Sequence, residues 1–301
     1  MQGRVPKDIG LCRGPPILSR DESGQGEEMT IVKDRVRVPK YLCWRHSHLE
    51  QTYQCGYHRL ITSGCSFTSS TLYLRGAASW PGFVRDRCGI DLAIDMSFPG
   101  AGNRYISDSI RYAADELCRD ADTQDILVVV MWSGLDRAER IENIDHHTQI
   151  QQYRYPILGR TGYKRISDCD PQALTEQMRQ DATQQSFELI TGTLSWLQER
   201  GIASVFTSYA NLLYPPFLPK RDTTHHWQDY LDQDRIDQLQ AISWVPNQGL
   251  DYLYEYSFVH DYLETGDHFH PPERAIQEWT DHVLLPTIAS QHLISPRSTP
   301  N

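Results

Sequence analysis

The sequence predicts an α/β fold in which a mostly parallel sheet lies between two layers of helices. Short apolar strand candidates alternate along the chain with segments whose apolar residues recur at helical spacing. One strand candidate, Ile126–Trp132, is apolar throughout, which is typical of a strand that is buried on both faces. The chain has 301 residues, 39% of them hydrophobic, which is enough for the core of one large domain.

Each element of this fold has its own signal in the sequence. The strand candidates are short and apolar: residues 60–62, 91–96, 126–132 and 202–206. Apolar residues three or four positions apart predict three helices: one through Ile106, Ile110, Ala113 and Leu117, one through Phe187, Ile190, Leu194 and Leu197, and one through Ile276, Trp279 and Val283. Gly201 follows the second helix, where glycine commonly ends a helix, and Pro271 and Pro272 precede the third.

The chain divides into a main domain with additions at both ends. Residues 1–55 are rich in glycine and proline and predict an irregular extension, residues 56–290 form the domain, and residues 291–301 predict a frayed tail. Within the domain, residues 137–170 and 209–255 are too long for simple connections and predict insertions. Long insertions on an α/β frame usually shape a binding site.

Charge and hydropathy exclude several classes of partner. Lys plus Arg total 29 and Asp plus Glu total 39, so the net charge is −10 and neither nucleic acid nor an anionic membrane surface is an expected partner. No apolar run approaches the ~20 residues of a membrane-spanning helix. The first 16 residues contain no apolar stretch that could form the core of a signal peptide, so we expect a cytoplasmic protein.

The seven cysteines are scattered and odd in number, which indicates free thiols rather than a disulfide framework. Cys43 and His46, and likewise Cys55 and His58, have the pairwise spacing of zinc ligands. Zinc would join the N-terminal extension to the sheet. Buried thiols and surface histidines are the alternative interpretation.

The residues expected to carry chemistry follow the first three strands. Ligands bind beyond the C-terminal ends of the strands in an open parallel sheet, which selects residues 63–68, 97–103 and 133–137. The first loop supplies the hydroxyl of Ser66, and the second supplies backbone N–H groups at a helix N-terminus, suited to a developing oxyanion. Before the last helix, Asp267 and His270 are three positions apart and can form a carboxylate–imidazole pair.

These motifs resemble the sequence blocks of the SGNH (GDSL-type) hydrolase superfamily. Residues 64–68 (GCSFT) are similar to the nucleophile block of the family, and residues 267–271 (DHFHP) are similar to its last block. Residues 95–100 (DMSFPG) are similar to the second block, and residues 134–136 (GLD) lie where the third block, Gly-x-Asn, is expected. The four blocks occur in family order within residues 56–290.

The resemblance implies a three-layer α/β/α, flavodoxin-like fold and ester hydrolysis through an acyl-serine intermediate, with no metal or other cofactor. Ser66 would be the nucleophile, His270 the base and Asp267 the residue that orients the base. His268 competes with His270 for that role. The backbone N–H groups of Ser66 and Gly100 would form the oxyanion hole.

Position 136 departs from the family pattern because it is Asp where the family has Asn. An ionised carboxylate donates no hydrogen bond and would oppose an oxyanion. Either the block is displaced, or another donor serves, or the activity is weak or lost. We expect Asp136 to turn toward Arg137 or a backbone N–H group and Asn103 to supply the missing donor, with Gly102 and Asp136 as the other oxyanion candidates.

Aromatic residues crowd both predicted insertions: Tyr153, Tyr155, Tyr163, Tyr209, Tyr214, Phe217, Trp227 and Tyr230. Aromatic rings stack on the apolar faces of sugars, which favours an O-acylated carbohydrate, such as an acetyl ester, with lipid esters and aryl esters as the alternatives. Packing of these rings in a satellite core is the alternative. The sequence therefore predicts a serine esterase, with two rivals: an acyltransferase on the same fold, and a non-catalytic glycan- or partner-binding module with a decayed site.

Overall fold

The computed structural model describes the main sheet, most of its helices and several loops. The described residues are 43–44, 52–69, 79–119, 122–134, 137–143, 161–165, 175–211, 229–242, 244–245, 252–262 and 270–297. Within them, no helix is both long enough and apolar enough to cross a membrane.

Six strands form the main sheet, in the order β1-β4-β3-β5-β8-β9. Their bounds are β1 Cys43–Trp44, β3 Arg59–Ser63, β4 Leu92–Asp95, β5 Ile126–Trp132, β8 Ala203–Ser208 and β9 Trp244–Val245. β1 is antiparallel to β4, and every other neighbouring pair is parallel. The five parallel strands therefore follow the order second, first, third, fourth and fifth, which is the flavodoxin-like order. The predicted fold class is confirmed.

The helices cover the sheet on both faces. They are α1 Trp80–Cys88, α2 Asn103–Leu117, α3 Glu176–Glu199, α4 Gln233–Ala241, α5 Leu253–Val259, α6 Glu273–Trp279 and α7 Leu285–Ser290. The connection from β3 to β4 and the connection from β4 to β5 run in opposite directions across the sheet, so right-handed crossovers place α1 and α2 on opposite faces. In agreement, α1 packs against α6 and α2 packs against α3.

β5 occupies the centre of the core, and all seven of its residues are buried. Gly201, predicted to end the long helix, adopts a left-handed conformation with φ of 67° directly after α3. The predicted C-terminal helix is also present, but the π-helical segment Thr280–Leu284 joins its two parts. A π turn contains one extra residue, which turns the apolar face by one position. Leu284 is therefore buried, whereas Val283 is only half-buried.

Both predicted terminal additions are more ordered than expected where the structure describes them. β2, at Tyr53–Cys55, pairs antiparallel with β10, at Ile294–Pro296, and β1 adds to the edge of the main sheet. The expectations of a wholly irregular extension over residues 1–55 and of a frayed tail from residue 291 were wrong for these segments. Backbone pairing between positions so far apart leaves no periodic signal in segments of two or three residues.

The two predicted insertions differ from each other. Part of residues 137–170 forms an antiparallel hairpin of β6, Glu139–Asn143, and β7, Thr161–Arg165. Residues 209–255 contain α4 and β9, so in this region the prediction of an insertion was wrong: it includes a regular helix and the fifth parallel strand. β9 has only two residues, too few for an apolar run to reveal it.

Candidate active site

The turn predicted to carry the nucleophile, residues 64–69 and called the nucleophile turn below, begins where β3 ends at the carboxyl edge of the sheet. The carbonyl oxygen of Cys65 accepts hydrogen bonds from the N–H groups of Thr68 and Ser69, both at 3.0 Å, which closes a tight turn around Ser66. A side chain at Gly64 would clash with Oγ1 of Thr68, and its Cβ would lie 2.9 Å from the carbonyl oxygen of Met131 in β5. The turn therefore packs directly on the central strand.

Ser66, in the middle of this turn, is largely buried. It is 6% exposed, and no described residue forms a hydrogen bond with its hydroxyl or its N–H group. The reactive oxygen and the neighbouring N–H donor of the predicted mechanism are thus both present at one residue.

The second loop, residues 96–102, lies beside the nucleophile turn. The N–H of Phe98 donates to the carbonyl oxygen of Gly64 at 3.0 Å, which joins the two loops directly. The N–H of Ala101 donates back to the carbonyl oxygen of Phe98 at 3.0 Å, and Gly100 has φ of 83°. This pattern, with Pro99 before Gly100, fits a type II turn, in which the third position requires positive φ.

Asp95 fixes the start of this second loop. Its Oδ1 accepts hydrogen bonds from Oγ1 of Thr62 at 3.2 Å and from the N–H of Ser97 at 3.0 Å, and the residue is 1% exposed. Because Thr62 belongs to β3 and Ser97 follows β4, the carboxylate binds the ends of two adjacent strands together. The second loop is thereby positioned relative to the nucleophile turn.

His270 lies next to the nucleophile turn. Its imidazole ring packs against the ring of Phe67, with centroids 5.2 Å apart, and Phe67 directly follows Ser66. Nε2 of His270 is buried and forms no hydrogen bond with Ser66 among the described residues. Asp267 and the competing base His268 lie outside the described residues.

The N-terminus of α2 is already occupied by a carboxylate. Oε1 of Glu139 accepts from the N–H of Gly102 at 2.7 Å, and Oε2 accepts from the N–H of Tyr105 at 2.9 Å. Burial raises the pKa of Glu139 to about 7, against the opposing effect of these backbone hydrogen bonds. The N–H of Gly102 is therefore committed to Glu139, which argues against the predicted oxyanion role for Gly102.

Asn103 has a different role from the predicted one. Its Nδ2 donates to the carbonyl oxygen of Ser133 at 3.2 Å and to Oγ of Ser186 at 2.9 Å, and its Oδ1 accepts from the N–H of Ser133 at 2.8 Å. A side-chain amide has two hydrogens, and both are used here. Asn103 therefore binds α2 to the end of β5 and to α3, and the expectation that it donates to an oxyanion needs this correction.

The third loop is described only at its ends. Gly134 is buried after β5, whereas Leu135 and Asp136 lie outside the described residues. Arg137 then approaches the second loop, with Nη1 3.4 Å from the carbonyl oxygen of Ala101. Its guanidinium carbon is 5.9 Å from the ring centroid of Tyr209, which follows β8.

Aromatic rings form a wall beside the nucleophile turn. Phe67 stacks on Tyr209, with centroids 4.8 Å apart, and meets Tyr254 edge to face at 6.4 Å. Tyr209 is half-buried, so part of this wall is accessible. Of the other predicted aromatic residues, Tyr163 is buried against α2 through its hydrogen bond to Asp108, and Tyr230 is at the surface near Glu176. The remaining ones, Tyr153, Tyr155, Tyr214, Phe217 and Trp227, lie outside the described residues.

The four residues considered as zinc ligands are described only in part. The thiol of Cys55 forms a hydrogen bond with Cys88, and Nδ1 of His58 lies 3.1 Å from Oδ2 of Asp91. His46 and the side chain of Cys43 lie outside the described residues. Among the residues that are described, no three His, Cys, Asp or Glu side chains form a group that could hold a metal ion.

Nothing in the sequence near α2 points to Glu139. A helix is usually capped by a residue just before its first turn, and such a residue is visible in the sequence. Here the carboxylate comes from a position 37 residues after Gly102, across a whole strand of the sheet. Only the three-dimensional path of the segment after β5 brings it there.

Comparisons with known proteins add a resemblance in fold. No protein-family model and no curated protein matches the chain. Similar solved structures include TesA, with 14% identity, a TM-score of 0.44, and coverage of 77% of this chain and 98% of TesA. They also include the psychrotrophic esterase EstA from Pseudoalteromonas sp. (11% identity, TM-score 0.44, 78% and 98% covered) and the acetyl xylan esterase AlAXEase (11%, 0.44, 77% and 98%). With TM-scores below 0.5, these likenesses carry no conclusion about activity, which has to be argued from the residues of this chain.

Proposed function

We propose that this protein is a serine ester hydrolase of the SGNH type, with Ser66 as nucleophile and His270 as general base. The observation that carries the proposal is the contact between the rings of Phe67 and His270, with Ser66 next in the chain at the carboxyl edge of the sheet. This contact supports the proposal because it brings His270, from the far end of the domain, beside the residue next to Ser66, at the edge where parallel α/β proteins bind ligands.

The reaction follows from these positions. His270 takes the proton of the Ser66 hydroxyl while the oxygen attacks the ester carbonyl carbon, and Asp267 orients the imidazole. The N–H groups of Ser66 and Gly100 stabilise the negative oxygen of the tetrahedral intermediate. The alcohol leaves with the proton from His270, and a water activated by the same imidazole then releases the acid from the acyl-serine.

The substrate class we favour is an acylated carbohydrate, such as an acetyl ester. Tyr209, which is half-buried and packs on Phe67 next to Ser66, supports it, because an aromatic face can stack on the apolar face of a sugar ring, whereas Phe67 and Tyr254 are buried in the core. An acyltransferase would use the same acyl-serine, so products should be analysed with and without an added alcohol acceptor.

The test uses a serine-directed fluorophosphonate followed by peptide mass spectrometry. We expect one label, on Ser66, and none in Ser66→Ala. Ser97→Ala is the matched control, since Ser97 is also a buried serine at this edge of the sheet and should leave labelling unchanged. Hydrolysis of p-nitrophenyl acetate should fall by about 10⁴-fold or more in Ser66→Ala.

The base is tested in the same assay. His270→Ala should lower the labelling rate by about 10²-fold or more, because the hydroxyl loses its proton acceptor. His282→Ala, on the exposed side of the C-terminal helix, is the control. A label on another serine, or equal rates in Ser66→Ala and wild type, would overturn the assignment; binding of glycans without any turnover would instead favour the decayed-site alternative.

A further inference from the structure

The segment after β5 lies unusually close to the loop that carries Gly100. An ideal Cβ at Gly102 would clash with the carbonyl oxygen of Arg137 and would lie 2.6 Å from Cδ of Glu139. Only a residue without a side chain allows the two segments to approach to this distance. The second loop is therefore covered by this segment and is not simply exposed to solvent.

Two side chains of the segment after β5 form hydrogen bonds with the second loop and the start of α2. Glu139 accepts the N–H groups of Gly102 and Tyr105, and Arg137 donates to the carbonyl oxygen of Ala101. These contacts involve the residues immediately after Gly100. Glu139 is also the first residue of β6, so the β6–β7 hairpin is attached to the loop through this one carboxylate.

We propose that Glu139 is a positioning residue of the active site: its carboxylate fixes the backbone of residues 100–102 and so sets the orientation of the Gly100 N–H toward Ser66. This inference rests on the proposed function, since it assigns Gly100 to the oxyanion hole. Glu139 itself does not touch the reacting atoms. It acts through the type II turn at residues 98–101, whose last residue precedes Gly102.

The protonation state of Glu139 matters for this role. The titratable and charged groups near Glu139 are Asp108 and Tyr105 on α2, Tyr163 on β7 and Arg137 in its own segment. The backbone N–H of Arg104 also donates to the Glu139 carboxylate. The hydroxyl of Tyr163 donates to Asp108 at 2.8 Å, and its ring packs edge to face on Tyr105 at 5.4 Å. The β6–β7 hairpin therefore packs against α2 beside Glu139. An ionised Glu139 accepts N–H groups with both oxygens, whereas a protonated one becomes a weaker acceptor at the oxygen that carries the proton.

The experiment compares Glu139→Gln, Glu139→Asp and Gly102→Ala with two matched controls. Asp122→Asn removes another carboxylate that accepts a backbone N–H, that of Gln124 at 3.1 Å, near the start of β5 at the opposite edge of the sheet. Gly82→Ala adds a methyl group at a glycine whose Cβ would meet no atom within 4 Å. Turnover of p-nitrophenyl acetate and amide hydrogen exchange of residues 98–105 are measured from pH 5 to pH 9.

In Glu139→Gln and Gly102→Ala we expect kcat to fall by about 10–100-fold with little change in KM, because a displaced oxyanion donor weakens only the transition state. Glu139→Asp should recover part of the loss. The pH dependence of kcat should differ between wild type and Glu139→Gln, because the ionisation of Glu139 adds to that of the general base only in wild type. Amide exchange at residues 98–105 should become about 10-fold faster or more in Glu139→Gln and stay unchanged in both controls.

Two results would overturn the proposal: unchanged exchange at residues 98–105 in Glu139→Gln, or faster exchange with kcat and its pH profile equal to those of wild type. If wild-type protein has no esterase activity and Ser66 takes no phosphonate, the proposed function fails. In that case, faster exchange in Glu139→Gln would still show that Glu139 anchors the second loop, but this anchoring would have no role in catalysis.

Discussion

The nucleophile turn and the second loop lie side by side at the carboxyl edge of the sheet, yet they are held in different ways. The nucleophile turn closes on itself through Cys65 and packs on β5. The second loop is closed by its own Pro99-Gly100 turn but is anchored by Glu139 and Arg137, which belong to a segment beyond the next strand. A turn fixed by its own residues can be recognised from a short motif, whereas an anchor that comes from a distant segment, such as Glu139, cannot.

Because of this difference, we expect substitutions within the nucleophile turn to have the largest effect on turnover and stability. In Gly64→Ala, the new methyl group would clash with Thr68 and crowd the carbonyl oxygen of Met131, so the turn must move off β5. We expect turnover to fall by about 10²-fold and stability to fall by about 1–3 kcal/mol. Gly56→Ala, where a Cβ would have no atom within 4 Å, should leave both unchanged in the same kinetic and urea-unfolding measurements.

For the second loop, we expect an effect of pH on protein stability through the ionisation of Glu139, which is distant in sequence. Glu139 has a pKa raised from 4.5 to about 7 in the folded protein, so between these values the folded state keeps a proton that the unfolded state has released. Its contribution to stability is therefore full below pH 4.5 and is lost as the pH rises through 7, by about 3 kcal/mol in all.

Urea unfolding of wild type and Glu139→Gln across this pH range measures the effect. The difference in unfolding free energy between the two proteins should change with pH in favour of the variant as the pH rises, because glutamine does not ionise. A constant difference from pH 4.5 to pH 8 would contradict the raised pKa. Asp122→Asn serves as the control, since Asp122 is an exposed carboxylate.

Asn103 offers a sharper test of how the second loop is joined to the core. Asn103→Ala removes the partners of both the N–H and the C=O of buried Ser133, and we expect a loss of about 1–3 kcal/mol in urea unfolding. Asn103→Asp keeps the acceptor but places a carboxylate against the Ser133 carbonyl oxygen, so it should also destabilise the protein. A 10²-fold loss of turnover in Asn103→Ala at unchanged stability would restore the oxyanion role predicted from the sequence.

The smallest effect is expected at Asp136. If the N–H groups of Ser66 and Gly100 are the oxyanion donors, Asp136→Asn should leave turnover unchanged or raise it, since an amide adds a donor where a carboxylate opposes negative charge. A severe loss of turnover would show that the carboxylate itself takes part in the reaction.

The sequence was informative wherever the determining interactions are local. The apolar run of β5 and the helical spacing of Phe187 and Ile190 before Gly201 each depend on neighbouring residues, and both are present in the structure. The parallel sheet could be predicted because strand and helix signals alternate at regular intervals.

What could not be predicted depends on contacts between distant positions. Asn103 has the right side chain for an oxyanion donor, but Ser186, 83 residues later, takes one of its hydrogens. β9 is too short to carry a pattern, and it pairs with β8 through Phe206 and Thr207. Sequence periodicity reports which residues are buried, but it does not report which partner a buried polar group will find.

The β2–β10 ribbon has a consequence for the architecture of longer chains. The N–H of Arg297 donates to the carbonyl oxygen of Thr52 at 2.9 Å, so the end of the β2–β10 ribbon lies beside the residue that precedes β2. Domains whose ends adjoin tolerate circular permutation and insertion into loops of other proteins. A permutant that joins residue 297 to residue 52 by a short glycine-rich linker and opens the chain elsewhere should keep the five parallel strands of the sheet and lose only the edge strand β1. The edge of the sheet that carries Ser66 would then lie inside a host protein, inserted as one unit.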